Sequence, residues 1–282
     1  MTHYFVYDVF TDTAFGGNQL AVFPDAQSLP QDQLQNIAAE FNFSEVTFVY
    51  PPRDPNHTAR VRIFTPTSEV NFAGHPTIGT IIALSDLGQS SPMVLELGIG
   101  PLKCTKDSNG AAFTTTSPLQ KIAFPESELV ARALSLPVDA IRTKTHAPVQ
   151  ASLGLPFIIA ELDGRESLSN CRPNIDAFHE GLKQYPASLD FAVFAYSREG
   201  QKITSRMFAP LDNITEDPAT GSASATLAAL LTERLDAPQT LSFSQGDDMG
   251  RPSRIFASTT QNPITVTISG QAVKTMEGQF IL

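Results

Sequence analysis

Long apolar runs, a cationic surplus and grouped cysteines are all missing from this chain of 282 residues. No stretch approaches the 18 or so consecutive apolar residues that a membrane-spanning helix needs, so no anchor is expected. Lysine and arginine number 19 against 29 acidic residues, a net charge of −10. A surface this negative repels phosphate backbones and anionic lipid headgroups. Neither nucleic acid nor a membrane is therefore an expected partner. The opening Met1-Thr2-His3-Tyr4-Phe5-Val6-Tyr7-Asp8 has no basic segment and no apolar core. A signal peptide is not expected, and a cytoplasmic location is.

Cys104 and Cys171 stand 67 residues apart with no second cysteine or histidine pair at ligand spacing. A disulfide framework and a structural zinc site both lack support. The histidines at 3, 57, 146 and 179 form no ligand spacing with His75 either, so no metal is expected. No Gly-x-Gly-x-x-Gly, P-loop or Gly-x-Ser-x-Gly occurs, which leaves nucleotide cofactors and serine hydrolysis unsupported. No cofactor is expected. What remains is an ordinary globular composition, 41% hydrophobic and 17% charged, long enough for about two domains.

An internal repeat is the most informative feature. Ser44-Glu45-Val46-Thr47-Phe48-Val49-Tyr50 resembles Asp190-Phe191-Ala192-Val193-Phe194-Ala195-Tyr196 at an offset of 146. Arg62-Ile63-Phe64-Thr65-Pro66 matches Arg206-Met207-Phe208-Ala209-Pro210 at 144, and His75-Pro76-Thr77-Ile78-Gly79-Thr80 matches Asp217-Pro218-Ala219-Thr220-Gly221-Ser222 at 142. Leu95-Glu96-Leu97 echoes Leu241-Ser242-Phe243, each with glycines after it. Four matches in one order at nearly one offset argue for duplication.

Strands are expected at Phe5–Val9, Leu20–Phe23, Val46–Tyr50 and Ala59–Phe64, where β-branched and aromatic residues concentrate. Residues 31–41 carry Leu34, Ile37, Ala38 and Phe41 at helical spacing. The second helix of each half should begin at the matched motif, with His75 or Asp217 as N-cap and Pro76 or Pro218 in the first turn. Gly88 suits the C-terminal end of the first of these. Residues 223–231 are apolar nearly all round, the mark of a buried helix. The expected architecture is α/β: two similar domains, each a curved sheet around a central helix. Ser117–Pro148 has no partner in the other half and reads as the connection, with a helix over residues 126–136.

Helices starting near Pro76 and Pro218 would present unpaired N–H groups and a positive dipole end, suited to a small carboxylate. Gly74, Gly79 and Gly221 would permit close approach of that ligand. Asp217 reads equally as a structural cap or as a functional group. His75 is a poor cap by preference, which favours a functional reading. Glu45 stands where the other half has Phe191, and apolar surroundings would raise its pKa into a range useful for proton transfer. Ser222 is either a helix-start hydroxyl or a ligand contact.

These residues resemble the phenazine-biosynthesis-like (PhzF-like) proteins, which share the diaminopimelate epimerase fold. The resemblance runs through Val6-Tyr7-Asp8-Val9-Phe10, Phe15-Gly16-Gly17-Asn18, Asn42-Phe43-Ser44-Glu45-Val46-Thr47-Phe48-Val49 and Phe72-Ala73-Gly74-His75-Pro76-Thr77-Ile78-Gly79. It continues through Thr215-Glu216-Asp217-Pro218-Ala219-Thr220-Gly221-Ser222-Ala223, Gln245-Gly246 and Gly250-Arg251-Pro252-Ser253. It implies barrel-like domains, here residues 1–120 and 121–270 with 271–282 as a candidate completing strand of the first. It further implies an active site in the cleft between them, and a homodimer.

The resemblance also implies a cofactor-independent isomerase like that of trans-2,3-dihydro-3-hydroxyanthranilate, in which Glu45 shuttles a proton. His75, Asp217 and Ser222 would orient the substrate and assist, and Gly74 and Gly221 would receive its carboxylate. Asn18 would be a further substrate contact. The family usually has proline after the Gly-Asn pair, where this chain has Gln19. An amino- or hydroxy-acid racemase or epimerase and a non-catalytic metabolite-binding protein are the competing readings.

Overall fold

The computed structural model describes residues 1–187 and 191–281; Asp190, which opens one of the repeat matches, lies outside them. Two compact units form, one from Met1–Thr115 with Thr267–Leu282 and the other from Thr116–Val266.

The first unit runs β1 (Thr2–Val9), β2 (Asn18–Phe23), α1 (Leu34–Phe41), β3 (Glu45–Tyr50), β4 (Ala59–Phe64), β5 (Glu69–Val70), α2 (Gly74–Asp86), β6 (Met93–Leu97), β7 (Gly100–Asp107) and β8 (Gly110–Thr115). The second runs β9 (Gln120–Ala123), α3 (Ser127–Ala133), β10 (Val149–Ser152), β11 (Pro156–Glu161), α4 (Arg165–Asn170), α5 (Ile175–Gln184), β12 (Val193–Glu199), β13 (Lys202–Ala209), β14 (Ile214–Asp217), α6 (Gly221–Leu235), β15 (Thr240–Gln245) and β16 (Ser253–Thr259). The chain then returns to the first unit through β17 (Val266–Gly270) and β18 (Ala272–Phe280), the latter antiparallel to β1.

Strand pairing carries the duplication. In the first unit β1–β2, β3–β4 and β6–β7 are antiparallel while β2–β3 and β4–β6 are parallel. In the second, β10–β11, β12–β13 and β15–β16 are antiparallel while β11–β12 and β13–β15 are parallel. A parallel pair needs a crossover connection, usually a helix. Those crossovers carry α1 and α2 in one unit, and α4, α5 and α6 in the other.

The curled sheets wrap their central helices. Along α2 every residue from Gly74 to Leu84 is buried, and along α6 every residue from Gly221 to Thr232. Burial this complete leaves hydroxyls needing partners. Within α6, Ser224, Thr226 and Thr232 each donate to the carbonyl four residues earlier, at 3.0, 3.0 and 2.8 Å. Gly79 of α2 is a packing glycine rather than a ligand contact. A Cβ there would meet Leu20 Cδ2 at 2.5 Å and Val9 Cγ2 at 2.8 Å.

Within residues 117–148, which connect the two repeats, Leu129, Val130, Ala133 and Leu134 face a core as expected and pack with Phe178, Phe191 and Phe208 in the second unit. The repeat, however, shifts by one residue in β3. Phe64 pairs with Val46 and its counterpart Phe208 pairs with Val193. The strand register thus places Ala192, not Phe191, opposite Glu45 in the repeat. Phe191 belongs to that core, with its ring against Gly181.

Candidate active site

Neighbouring strand starts bring the candidate residues of the first unit together. In the parallel pair β2–β3, Glu45 is in register with Leu20, two residues beyond Asn18. His75 is the second residue of α2. The fold thereby brings together residues 18, 45 and 75. Glu45 Oε2 lies 3.4 Å from His75 Nδ1, and the Asn18 amide nitrogen lies 3.3 Å from the same atom. Asn18 and His75 are buried, and the Glu45 side chain is 14% exposed.

Burial pushes the His75 imidazole down to about 3, with a hydrogen bond to the Gln19 backbone acting the other way. His75 is therefore neutral near pH 7, and its contact with Glu45 is a close approach of 3.4 Å rather than an ion pair. A neutral imidazole has one N–H and one bare nitrogen. With Nδ1 bare, it accepts from the Asn18 amide, and Nε2–H becomes the donor. His75 Nε2 is buried without a hydrogen-bond partner, available to a bound molecule.

The loop before Asn18 is anchored by a residue that sequence reasoning did not single out. Buried Asp8 accepts a hydrogen bond from the Phe15 N–H at 2.7 Å. Gly17, at φ +61°, passes so close to the Val9 carbonyl that no side chain fits. Gln19, where the family resemblance calls for proline, is the residue whose backbone bonds His75.

The second unit holds Asp217 at the end of β14 and Gly221 and Ser222 at the start of α6, all buried. Neither Asp217 nor His75 caps its helix. The α2 cap is Ala73, in extended conformation, and α6 begins four residues after Asp217 with Thr220 at the cap position. The reason is a side chain from β15. The Gln245 amide donates to the Asp217 carbonyl at 2.8 Å and accepts from the Thr220 N–H at 3.2 Å, closing the Asp-Pro-Ala-Thr turn before the helix can start. Gly74 and Gly221 are the first residues of α2 and α6, where backbone N–H groups lack helical partners.

Two-thiol chemistry finds no candidates. Cys104 lies on β7 and Cys171 follows α4, and burial pushes both thiols up to about 12. Among the described residues no three His, Cys, Asp or Glu side chains are grouped to hold a metal, and no helix is long and apolar enough to cross a membrane.

Comparison with known proteins identifies the family. The model of the phenazine biosynthesis-like protein family matches residues 7–278. An uncharacterized isomerase of Mesorhizobium japonicum is 37% identical, with 99% of each chain covered. The trans-2,3-dihydro-3-hydroxyanthranilate isomerase of Pseudomonas fluorescens is 33% identical over the full length of both. A PhzF-family protein of Bacillus anthracis shares the fold at a TM-score of 0.86 and 24% identity, covering 100% of this chain and 99% of that one. With the duplicated α/β fold and the matched motifs in place, the chain belongs to the phenazine biosynthesis-like family and is one of its isomerases.

Proposed function

We propose that this isomerase moves a proton between carbon atoms of a small carboxylate-bearing substrate, with Glu45 as the single acid/base and no cofactor. The observation that carries the reading is the 3.4 Å approach of the shielded Glu45 carboxylate to a neutral, buried His75. A carboxylate with little water around it is a stronger base than one in bulk solvent. An imidazole that can switch tautomer accommodates it both before and after it takes the proton. His75 and Asn18 would hold the substrate. Asp217 and Ser222 would bind and polarise it, with the N–H groups at Gly74 and Gly221 receiving its carboxylate. A cytoplasmic homodimer is part of the same proposal, as is a substrate resembling the trans-2,3-dihydro-3-hydroxyanthranilate named for the Pseudomonas relative.

The test is NMR in D₂O with that compound and a panel of small amino and hydroxy acids, wild type beside Glu45→Gln. Product and deuterium at carbon are scored separately, since a shielded glutamate can return the proton it removed. Conversion by wild type that disappears in Glu45→Gln supports the reading. Conversion by a folded Glu45→Gln protein overturns it.

A further inference from the structure

We propose that Gln245 and Thr220 are positioning residues that hold Asp217 as a hydrogen-bond acceptor, so that the substrate must offer it an N–H or O–H donor. The proposal rests on the reading above in placing Asp217 at the substrate; the orientation of its carboxylate follows from the hydrogen bonds alone.

Four short contacts meet at Gln245, which is 1% exposed. Its Oε1 faces the Thr220 N–H at 3.2 Å and the Ser205 hydroxyl at 3.5 Å. Its Nε2 lies 2.8 Å from the Asp217 backbone carbonyl and 2.9 Å from Thr220 Oγ1. Backbone groups leave no freedom of direction: an N–H only donates and a carbonyl only accepts. The Thr220 N–H therefore fixes which end of the amide is oxygen, and the Asp217 carbonyl fixes which end is nitrogen. An amide nitrogen only donates, so Thr220 Oγ1 is an acceptor toward Gln245. The hydroxyl has one hydrogen left to give. Asp217 Oδ2, 2.6 Å away, receives it. Each direction in the chain from Gln245 to Thr220 to Asp217 is thus set by the one before.

A carboxylate oxygen that accepts a short hydroxyl bond is held in one orientation, and its charged form is favoured. The rest of the turn is held as firmly. The Ser253 hydroxyl donates to the Pro218 carbonyl at 2.7 Å, and Gly246 packs against that same carbonyl with no room for a side chain. The turn is pre-organised from β15 and β16, so the carboxylate is in place before a ligand arrives. A fixed carboxylate favours an ammonium, amino or hydroxyl group and rejects a substrate whose only polar group is another carboxylate.

Thr220→Val keeps the shape and removes the hydroxyl, and Thr220→Ser keeps the hydroxyl. Aspartate labelled with ¹³C at Cγ reports the Asp217 titration directly, its signal assigned by its loss in Asp217→Asn. This readout needs no substrate, so it separates failure of the positioning argument from failure of the isomerase reading. The Asp217 midpoint should rise by about one pH unit in Thr220→Val and stay near wild type in Thr220→Ser. The nearby charged groups, Arg206 and Glu216 on β13 and β14 and Asp247, Asp248 and Arg251 after β15, are common to all three proteins. With a substrate that turns over, kcat/KM for Thr220→Val should fall about tenfold and its acidic limb should move up with the NMR midpoint. An unshifted Asp217 signal in folded Thr220→Val overturns the proposal. So does a substrate that turns over at full rate with no N–H or O–H donor apart from its carboxyl group.

Discussion

Glu45 Oε2 and His75 Nδ1 stand 3.4 Å apart, one at the start of β3 and the other in the first turn of α2. The buried ring is neutral near pH 7, so it approaches the carboxylate without forming an ion pair.

Glu45→Gln removes the proposed base while conserving size and shape. Turnover of any accepted substrate should drop by roughly 10²–10⁴-fold or more. Thermal stability should stay within a few degrees, because the side chain supports no core. Steady-state kinetics beside a thermal melt would separate the two effects. A fall in activity that merely tracks a loss of folded protein would remove Glu45 from the chemistry.

His75 makes stability depend on pH. Its pKa in the fold is depressed to about 3 by burial, against about 6.5 in an unfolded chain. Between these values the unfolded state binds a proton that the folded state does not, so His75 weakens the fold as pH falls from 6.5 toward 3. The effect has a limiting slope of about 1.4 kcal/mol per pH unit. Urea titrations of wild type and His75→Gln at pH 4.5 and 7.5 should show a smaller pH dependence in the variant. Equal dependence in both proteins would mean that the folded ring takes up the proton.

Arg206 should be among the least replaceable residues of the second unit. It is 6% exposed, pairs with Glu216 through two bonds of 2.8 and 2.7 Å, and donates to the carbonyls of Leu168, Ser169 and Cys171. Arg206→Met leaves the mostly buried Glu216 carboxylate without its partner, while the Ser169 and Cys171 carbonyls keep Arg172 and the Leu168 carbonyl keeps the Cys171 N–H, and should cost about 3–5 kcal/mol in chemical denaturation. Arg206→Lys should recover little of this, since an ammonium cannot reproduce the planar fork. Full recovery in the lysine variant would reduce the site to a simple charge pair.

Gly246→Ala should destabilise by roughly 2–4 kcal/mol, because strain in a left-handed backbone adds to a collision with two carbonyl oxygens. Gly246 has φ +76°, and the oxygens belong to Arg251 and Pro218. Relaxation would displace Pro218, next to Asp217, so the ¹³C signal of Asp217 should move as well. A variant of wild-type stability and unchanged spectrum would contradict the packing described.

The sequence alone carried the architecture. Repeat matches at a nearly constant offset specified two like halves, and mostly apolar character over residues 223–231 specified a buried helix. Both are local patterns, because the period and polarity of a segment decide which face it can bury. Glu45, His75 and Asp217 stood out as candidates for a similar reason: each lies in a short motif whose spacing survives without coordinates. Tertiary structure decided what holds them. Asn18 meets His75 across 57 residues, and Gln245 reaches back 28 to the Asp217 carbonyl. Gln245 and its glycine were visible in the family motif, but nothing in their spacing linked them to the turn. The helix starts depended on the same long-range contacts. Asp before Pro is a favoured cap, yet a buried amide from another strand closed the turn first and made Asp217 the end of a strand. Hydrogen-bond partners this remote are chosen by strand register and crossover geometry, which no local pattern encodes.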